Sequence, residues 1–145
     1  MPQPQRFQDE NLLLSHFYQE VWVVCPSCEK KAIAKVNFKT KTARLFCISC
    51  GYNKETVTAI KNGSIEMPAN QYFQAELWLQ APFKNDAFWA YNDKHLEYLE
   101  SYISATIREH KDRVGFTLLE KLPKFYHEAK NRDGLLKIIA KLKSK

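Results

Sequence analysis

Glycine is scarce in this chain of 145 residues, with 4 in all, and no apolar run is long enough to cross a membrane. Few glycines beside 13% aromatic residues point to a core filled by rings rather than to a low-complexity or disordered chain. The start, Met1-Pro2-Gln3-Pro4-Gln5, has no basic region followed by an apolar stretch, so secretion is not indicated and a cytoplasmic location is expected. Also missing are a hydrolase serine elbow, a phosphate-cradling glycine loop, a second cluster of metal ligands and any of the usual DNA-reading helix motifs. These absences remove several enzyme classes and sequence-specific duplex reading.

What is present is an ordinary globular balance, 45% hydrophobic and 26% charged. A core of this size is modest, and a metal ion would help to hold it. The net charge of +6 is unevenly spread. Residues 1–20 carry one base and three acids, and residues 21–55 seven bases and two acids. Residues 56–120 carry six bases and nine acids, and residues 121–145 eight bases and two acids. Two basic blocks thus flank an acidic middle, and either suits an anionic partner such as nucleic acid.

All 4 cysteines fall into one pattern: Cys25-x2-Cys28, a spacer of 18 residues, then Cys47-x2-Cys50. Two thiolates separated by two residues reach one metal from a single tight turn, and two such turns complete a tetrahedron of sulfurs. Disulfides would require an oxidising compartment that the N-terminus does not indicate. Thioredoxin-type chemistry needs a single C-x-x-C on a βαβ unit, which is not seen. The expectation is one structural zinc ion per chain, with no open position for catalysis.

The spacer reads as a β-hairpin. Ala32, Ala34, Val36 and Phe38 alternate with Ile33, Lys35, Asn37 and Lys39; a turn near Thr40-Lys41 leads into Ala43, Leu45 and Cys47. A strand Val21–Val24 precedes it. Pro26 and Gly51 suit tight metal-binding turns. Here the chain resembles zinc-ribbon proteins over residues 21–55, with Cys25-Pro26-Ser27-Cys28 and Cys47-Ile48-Ser49-Cys50-Gly51 as the two knuckles. One departure is Glu29, where the second knuckle has Gly51. Lys31, Lys35, Lys39, Lys41 and Arg44, with Phe38 and Phe46 nearby, suit phosphates and stacked bases, favouring RNA or single strands.

Residues 56–70 read as a loop or short helix ended by Pro68; residues 72–80 read as a strand joining the hairpin, with a helix as the alternative, and Pro82 stops either one. A helix from Asn92 or Asp93 to about His110 carries Leu96, Leu99, Ile103 and Ile107 as its core stripe, with Tyr91, His95, Tyr98 and Tyr102 beside it. Phe116–Leu122 reads as a short helix, Pro123 as the start of another, and Asn131 or Asp133 as the cap of a last helix. The expected fold is α+β, an N-terminal β zinc ribbon fused to a helical C-terminal region. Its divisions are an extension at 1–20, the ribbon at 21–55, a connecting region at 56–85 and the helical region at 86–145.

Leu77-Trp78-Leu79-Gln80, Trp89-Ala90-Tyr91-Asn92, Arg108-Glu109 and Ala129-Lys130-Asn131-Arg132 resemble a family of small bacterial zinc-ribbon proteins. That resemblance implies a ribbon with a fused helical region and no particular activity. A more distant likeness, through the layout of ribbon and basic helices, is to bacterial zinc-finger ribonucleases of antiviral (phage) defence. Three readings follow. One is a nucleic-acid-binding module. Another is a metal-independent ribonuclease using His95 as base and Arg108, Lys130 or Arg132 to steady phosphate charge. The third is a homo-oligomeric assembly subunit.

Overall fold

The computed structural model describes residues 6–9, 14–105, 107–110 and 122–145, and for 6–9, 14 and 107–110 the backbone alone. In chain order the strands are β1 (Arg6–Asp9), β2 (Glu20–Val24), β3 (Lys31–Asn37), β4 (Thr42–Phe46), β5 (Asn53–Val57), β6 (Ala59–Ile60), β7 (Gly63–Ser64), β8 (Leu79–Phe83), β9 (Asp86–Ala90) and β10 (Ile107–His110). The helices are α1 (Asp93–Ser104) and α2 (Arg132–Lys143). The architecture is α+β, with a four-stranded antiparallel sheet and two helices.

Two compact units divide the chain. One comprises Phe17–Gln80 and Trp89–Asn92; the other takes in the described residues of Met1–His16, Ala81–Phe88 and Asp93–Lys145.

The first unit is built on the sheet β2-β3-β4-β5. Period-two alternation sorts its side chains cleanly. Val21, Val23, Ala32, Ala34, Val36, Ala43 and Leu45 face inward and are buried. They pack against a 3-10 turn at Ala69–Phe73, of which Ala69 is fully buried. The chain reverses between β3 and β4 through an Asn37 side chain that accepts from the Lys39 and Thr40 N–H groups at 3.0 and 3.2 Å, the local device that favours Asn in turns. At the outer edge of β2, the Trp22 N–H donates to the Tyr91 carbonyl at 2.7 Å. Asn92, expected as a helix cap, is buried and donates to the carbonyls of Phe17 and Glu20 at 2.8 and 2.6 Å.

Two expectations for this unit need correction. Residues 72–80 are not a strand of the sheet. They leave the 3-10 turn and meet β2 through a single bridge, Val23↔Leu77, before β8 begins at Leu79 and pairs with β9. Pro82 lies within β8 rather than ending it. A strand of a two-stranded sheet keeps one free edge, where a missing N–H breaks no ladder. Likewise the stretch before Pro68 forms the small β6–β7 hairpin, and Pro68 precedes the 3-10 turn instead of closing a helix.

In the second unit, Leu96, Leu99 and Ile103 of α1 and Leu135, Ile139 and Leu142 of α2 are buried, as helical spacing demands. Phe83 stacks on Phe125 with centroids 5.5 Å apart, and Phe88 lies 5.5 Å from Tyr126. Gly134 lets α2 approach this layer, since a Cβ there would stand 3.0 Å from the Phe83 ring. The helix expected to reach His110 stops at Ser104. Ile107–His110 instead forms β10, parallel to β1 in the register Arg6↔Ile107. Ile107 continues the spacing of Leu99 and Ile103, yet its β-branched side chain suits a strand equally, and β1 supplies backbone partners. The expected helix at Phe116–Leu122 falls almost wholly outside the described residues. After Pro123 there are two 3-10 turns, Lys124–Tyr126 and Ala129–Asn131. Asn131 does not cap α2 with its side chain. It is buried, accepting from Lys84 Nζ at 2.7 Å and donating to the Phe125 carbonyl at 3.2 Å.

Candidate functional site

The two cysteine turns repeat one another bond for bond. In the first, the Glu29 N–H donates to the Cys25 carbonyl at 3.0 Å and the Cys25 N–H to the Lys30 carbonyl at 2.8 Å. In the second, the Gly51 N–H donates to the Cys47 carbonyl at 2.9 Å and the Cys47 N–H to the Tyr52 carbonyl at 2.8 Å. Each turn ends on a left-handed residue, Glu29 at φ 64° and Gly51 at φ 82°. Glycine takes that conformation freely and glutamate does not. The departure noticed in the sequence is therefore a strained backbone position.

The turns bring the four sulfurs together. All lie within 4.8 Å of one another, with Cys25 Sγ 3.6 Å from Cys50 Sγ and Cys28 Sγ 3.6 Å from Cys47 Sγ. A disulfide needs about 2.05 Å, and all four cysteines are free. A tetrahedral ion with metal–sulfur bonds of about 2.3 Å spaces its ligands about 3.8 Å apart. The closest pairs match that edge. The N–H groups of Ser27 and Cys28 lie 3.4 and 3.5 Å from Cys25 Sγ, as if turned toward thiolate charge.

Without a cation the cluster divides its charge. Burial raises the Cys25 thiol, but the Cys28 and Ser27 N–H groups and the neighbouring Cys50 and Cys28 thiols outweigh it and hold it at about 7. Cys47 is lowered as well, chiefly by the Cys50 N–H. The Lys30 N–H favours ionisation of Cys28, but burial and the other three cysteines override it and push Cys28 up to about 12. Four sulfurs this close cannot all ionise unless positive charge sits among them. The cluster can hold one metal ion, and its four sulfur donors leave no position for a reacting water.

The outward face of the same sheet carries the basic residues. Pairing across the strands sets Glu20, Lys35, Arg44 and Glu55 in one row and Trp22, Ile33, Phe46 and Asn53 in the next. Lys31 Nζ lies 3.9 Å from the Trp22 ring centroid. Arg44 and Lys35 flank the Phe46 ring at 5.3 and 5.9 Å. An open groove of about 710 Å³ is lined by Lys35, Lys39 and Arg44 together with Asn37, Thr42 and Glu55. It thus unites three of the five expected cations. Lys31 belongs to the Trp22 end, while Lys41 sits in the β3–β4 turn, where its carbonyl accepts from the Thr58 N–H. The sequence reading overlooked Trp22 and the two acids. Lys35 is 3.3 Å from Glu20, and Arg44 4.0 Å from Glu55 while donating to Asn53 Oδ1 at 3.2 Å. Counting alternate residues outward from Val21 and Val23 would have found Trp22.

The residues considered for catalysis come from α1, β10, the 3-10 turn at Ala129–Asn131 and the start of α2. His95 is 1% exposed, and burial pushes its imidazole down to about 4, so it is neutral near pH 7. Lys130 pairs with Glu128 at 3.1 Å. Arg132 donates to the Ile103 carbonyl at 3.1 Å, about 12 Å along the α1 axis from His95. Arg108 lies in β10, opposite Phe7. A short polar pair in this unit that the sequence did not suggest is Tyr102 Oη to His127 Nδ1 at 2.5 Å. The other ring nitrogen of His127 faces the Leu122 carbonyl at 3.3 Å. A carbonyl only accepts, so Nε2 carries the proton and Nδ1 receives the tyrosine's. Both nitrogens are occupied within the fold.

Comparison of the chain with protein-family models, curated proteins and solved structures yields no match. The chemistry of the cysteine cluster and the basic face rests on their geometry.

Proposed function

We propose that this chain is a zinc-ribbon protein that binds single-stranded nucleic acid, RNA foremost, on the outward face of β2–β5. One observation carries the reading: a single groove joins Lys35, Lys39 and Arg44, and two of these cations, Lys35 and Arg44, also lie over the Phe46 ring. Cations gathered in one groove can meet phosphates, and an aromatic ring beside two of them gives a base a surface to stack on. Zinc is the ion that four thiolates at tetrahedral separations favour, and its role is to fix the two turns at the end of the sheet. Glu20 and Glu55 hold the cations in place, and phosphates compete with them as binding begins.

The test is fluorescence anisotropy with labelled uridine-rich RNA, the equivalent single-stranded DNA and a duplex of the same length. Three phosphate contacts give a slope of about −2 in log affinity against log salt, or about a fifteenfold loss between 50 and 200 mM. Phe46→Ala removes a stacking surface worth about 1–3 kcal/mol. Exchanging Lys35 and Arg44 for glutamate abolishes binding while the zinc content stays at one ion per chain. No binding of any strand at low salt, or equal affinity in the charge-reversed protein, refutes the nucleic-acid reading. Iron in place of zinc after growth in balanced metals refutes the metal assignment.

A further inference from the structure

Among the described residues the exposed large apolar side chains are Ile48, Val57, Ile60 and Ile65, and three of the four gather at β5 and the β6–β7 hairpin. A groove of about 420 Å³ opens there. Its lining takes in Lys54, Thr56, Val57 and Thr58 together with Ile60, Ile65 and Phe73. It belongs to the inward side of the sheet, since Lys54 is paired with the buried Leu45, and so it is separate from the basic face.

The main chain at this edge is open. β5 is the last strand of its sheet, and among the described residues no strand pairs with its outer side. The Thr58 N–H donates to the Lys41 carbonyl and the Cys47 N–H to the Tyr52 carbonyl. With the β4–β5 register, these bonds direct the main-chain groups of Lys54 and Thr56 and the Thr58 N–H toward β4, while the Thr58 carbonyl accepts from the Ile65 N–H at 3.0 Å. The N–H and carbonyl groups of Asn53, Glu55 and Val57 therefore point outward. The Thr58 hydroxyl in the groove wall is buried and has no hydrogen-bond partner. Open edges are normally covered or blunted, and a large apolar side chain 65% exposed beside one, as Val57 is, does neither.

We propose that the outer edge of β5 and the adjoining groove dock an extended peptide segment of a partner protein, which adds to the sheet as a fifth strand. Its main chain meets Asn53, Glu55 and Val57. Every second side chain enters the groove and is apolar, to suit Ile60, Ile65 and Phe73. Among the described residues Lys54 is the one charged member of the groove lining, so an acidic residue fits there. A second copy of the chain is the less favoured occupant. Of the three central registers for symmetric self-pairing, one sets Lys54 against its own copy and another Glu55, and like charges directly opposed are unfavourable, which leaves only the register centred on Thr56.

The experiment titrates the full-length, zinc-loaded protein against a fluorescein-labelled octapeptide of alternating valine and threonine with one central glutamate. A counterpart with an N-methylated main chain is run beside it. Saturable binding tighter than about 1 mM is expected, with slowed amide exchange at Asn53, Glu55 and Val57. N-methylation weakens it at least about tenfold, as does the double exchange Ile60→Asp and Ile65→Ser at exposed positions. Absence of binding overturns the proposal. Equal binding of the N-methylated peptide overturns it too, because apolar adsorption then suffices. Dimerisation through β5, seen by sedimentation, would assign the edge to a second copy instead.

Discussion

Replacing Glu29 by glycine should stabilise the protein, although it removes a side chain from a metal-binding turn. Glu29 is exposed and its backbone is left-handed at φ 64°, in the position that Gly51 fills at φ 82° in the companion turn. Holding a residue with a Cβ in that region costs about 1–2 kcal/mol. Glycine removes the cost but gives the unfolded chain more freedom, worth about 0.5–1 kcal/mol in the opposite sense. The net gain is about 0.5–1 kcal/mol, a rise of about 1–4 °C in Tm for a chain of this size. Gly51→Ala is the reciprocal test. A Cβ there meets nothing within 4 Å, so its cost is backbone strain alone, about 1–2 kcal/mol less any unfolded-state gain. Thermal unfolding of both zinc-loaded variants, with the rate of zinc transfer to a chromophoric chelator as a second readout, separates fold stability from metal retention. Glu29→Gly should slow the transfer and Gly51→Ala hasten it. A Glu29→Gly protein less stable than the parent by about 1 kcal/mol, beside a neutral Gly51→Ala, would refute the claim that the turns are equivalent.

Chelation should act on one unit more than the other. Cys25 and Cys47 are buried among the sheet residues, so metal removal is expected to speed amide exchange across β2–β5 before it reaches α1 and α2, and uniform loss of protection would contradict this. His95 makes the helical unit acid-sensitive. Its folded pKa is depressed to about 4, so its contribution is complete above the unfolded value of about 6.5 and fades as pH falls from there through 4. The limit is about 3 kcal/mol, read from exchange of α1 and α2 amides at pH 7 and 4.5; His95→Leu should flatten that pH slope, and an unchanged slope would refute the assignment. Tyr102→Phe leaves His127 Nδ1 without its donor, at a cost of about 1–2 kcal/mol in urea unfolding. The His127 ring nitrogen shifts should move with it, and unaltered shifts would exclude the assigned tautomer.

The sheet and its cysteine cluster were legible in the sequence because their signals are local. Ala32, Ala34 and Val36, then Ala43 and Leu45, alternate within one hairpin, and each cysteine pair closes its own turn over two intervening residues. The errors lie where distant residues decide. Leu96, Leu99, Ile103 and Ile107 keep helical spacing throughout, and only the pairing of Ile107 with Arg6 makes the last of them a strand residue. Pro82 argued against a strand because its free edge cannot be read from sequence. Asn131 and Asn92 carry good capping side chains, but Asn131 is spent on Lys84 and Asn92 on the Phe17 and Glu20 carbonyls, partners brought from far along the chain. The basic face was half legible. Alternation placed Lys35 and Arg44 outward, whereas Glu20 and Glu55 beside them emerge only from the strand register.

The pairing of β1 with β10 sets an order of events during synthesis. Arg6 leaves the ribosome early, but its partner Ile107 follows 101 residues later. All four sulfur ligands and the strands that carry them are complete by Val57, so the sheet can close and capture its ion while β1 still waits. Translation paused before residue 107 should therefore yield a metal-loaded sheet with an unpaired leading strand. β1 is made before the sheet that folds without it, and it is among the last elements to find its place.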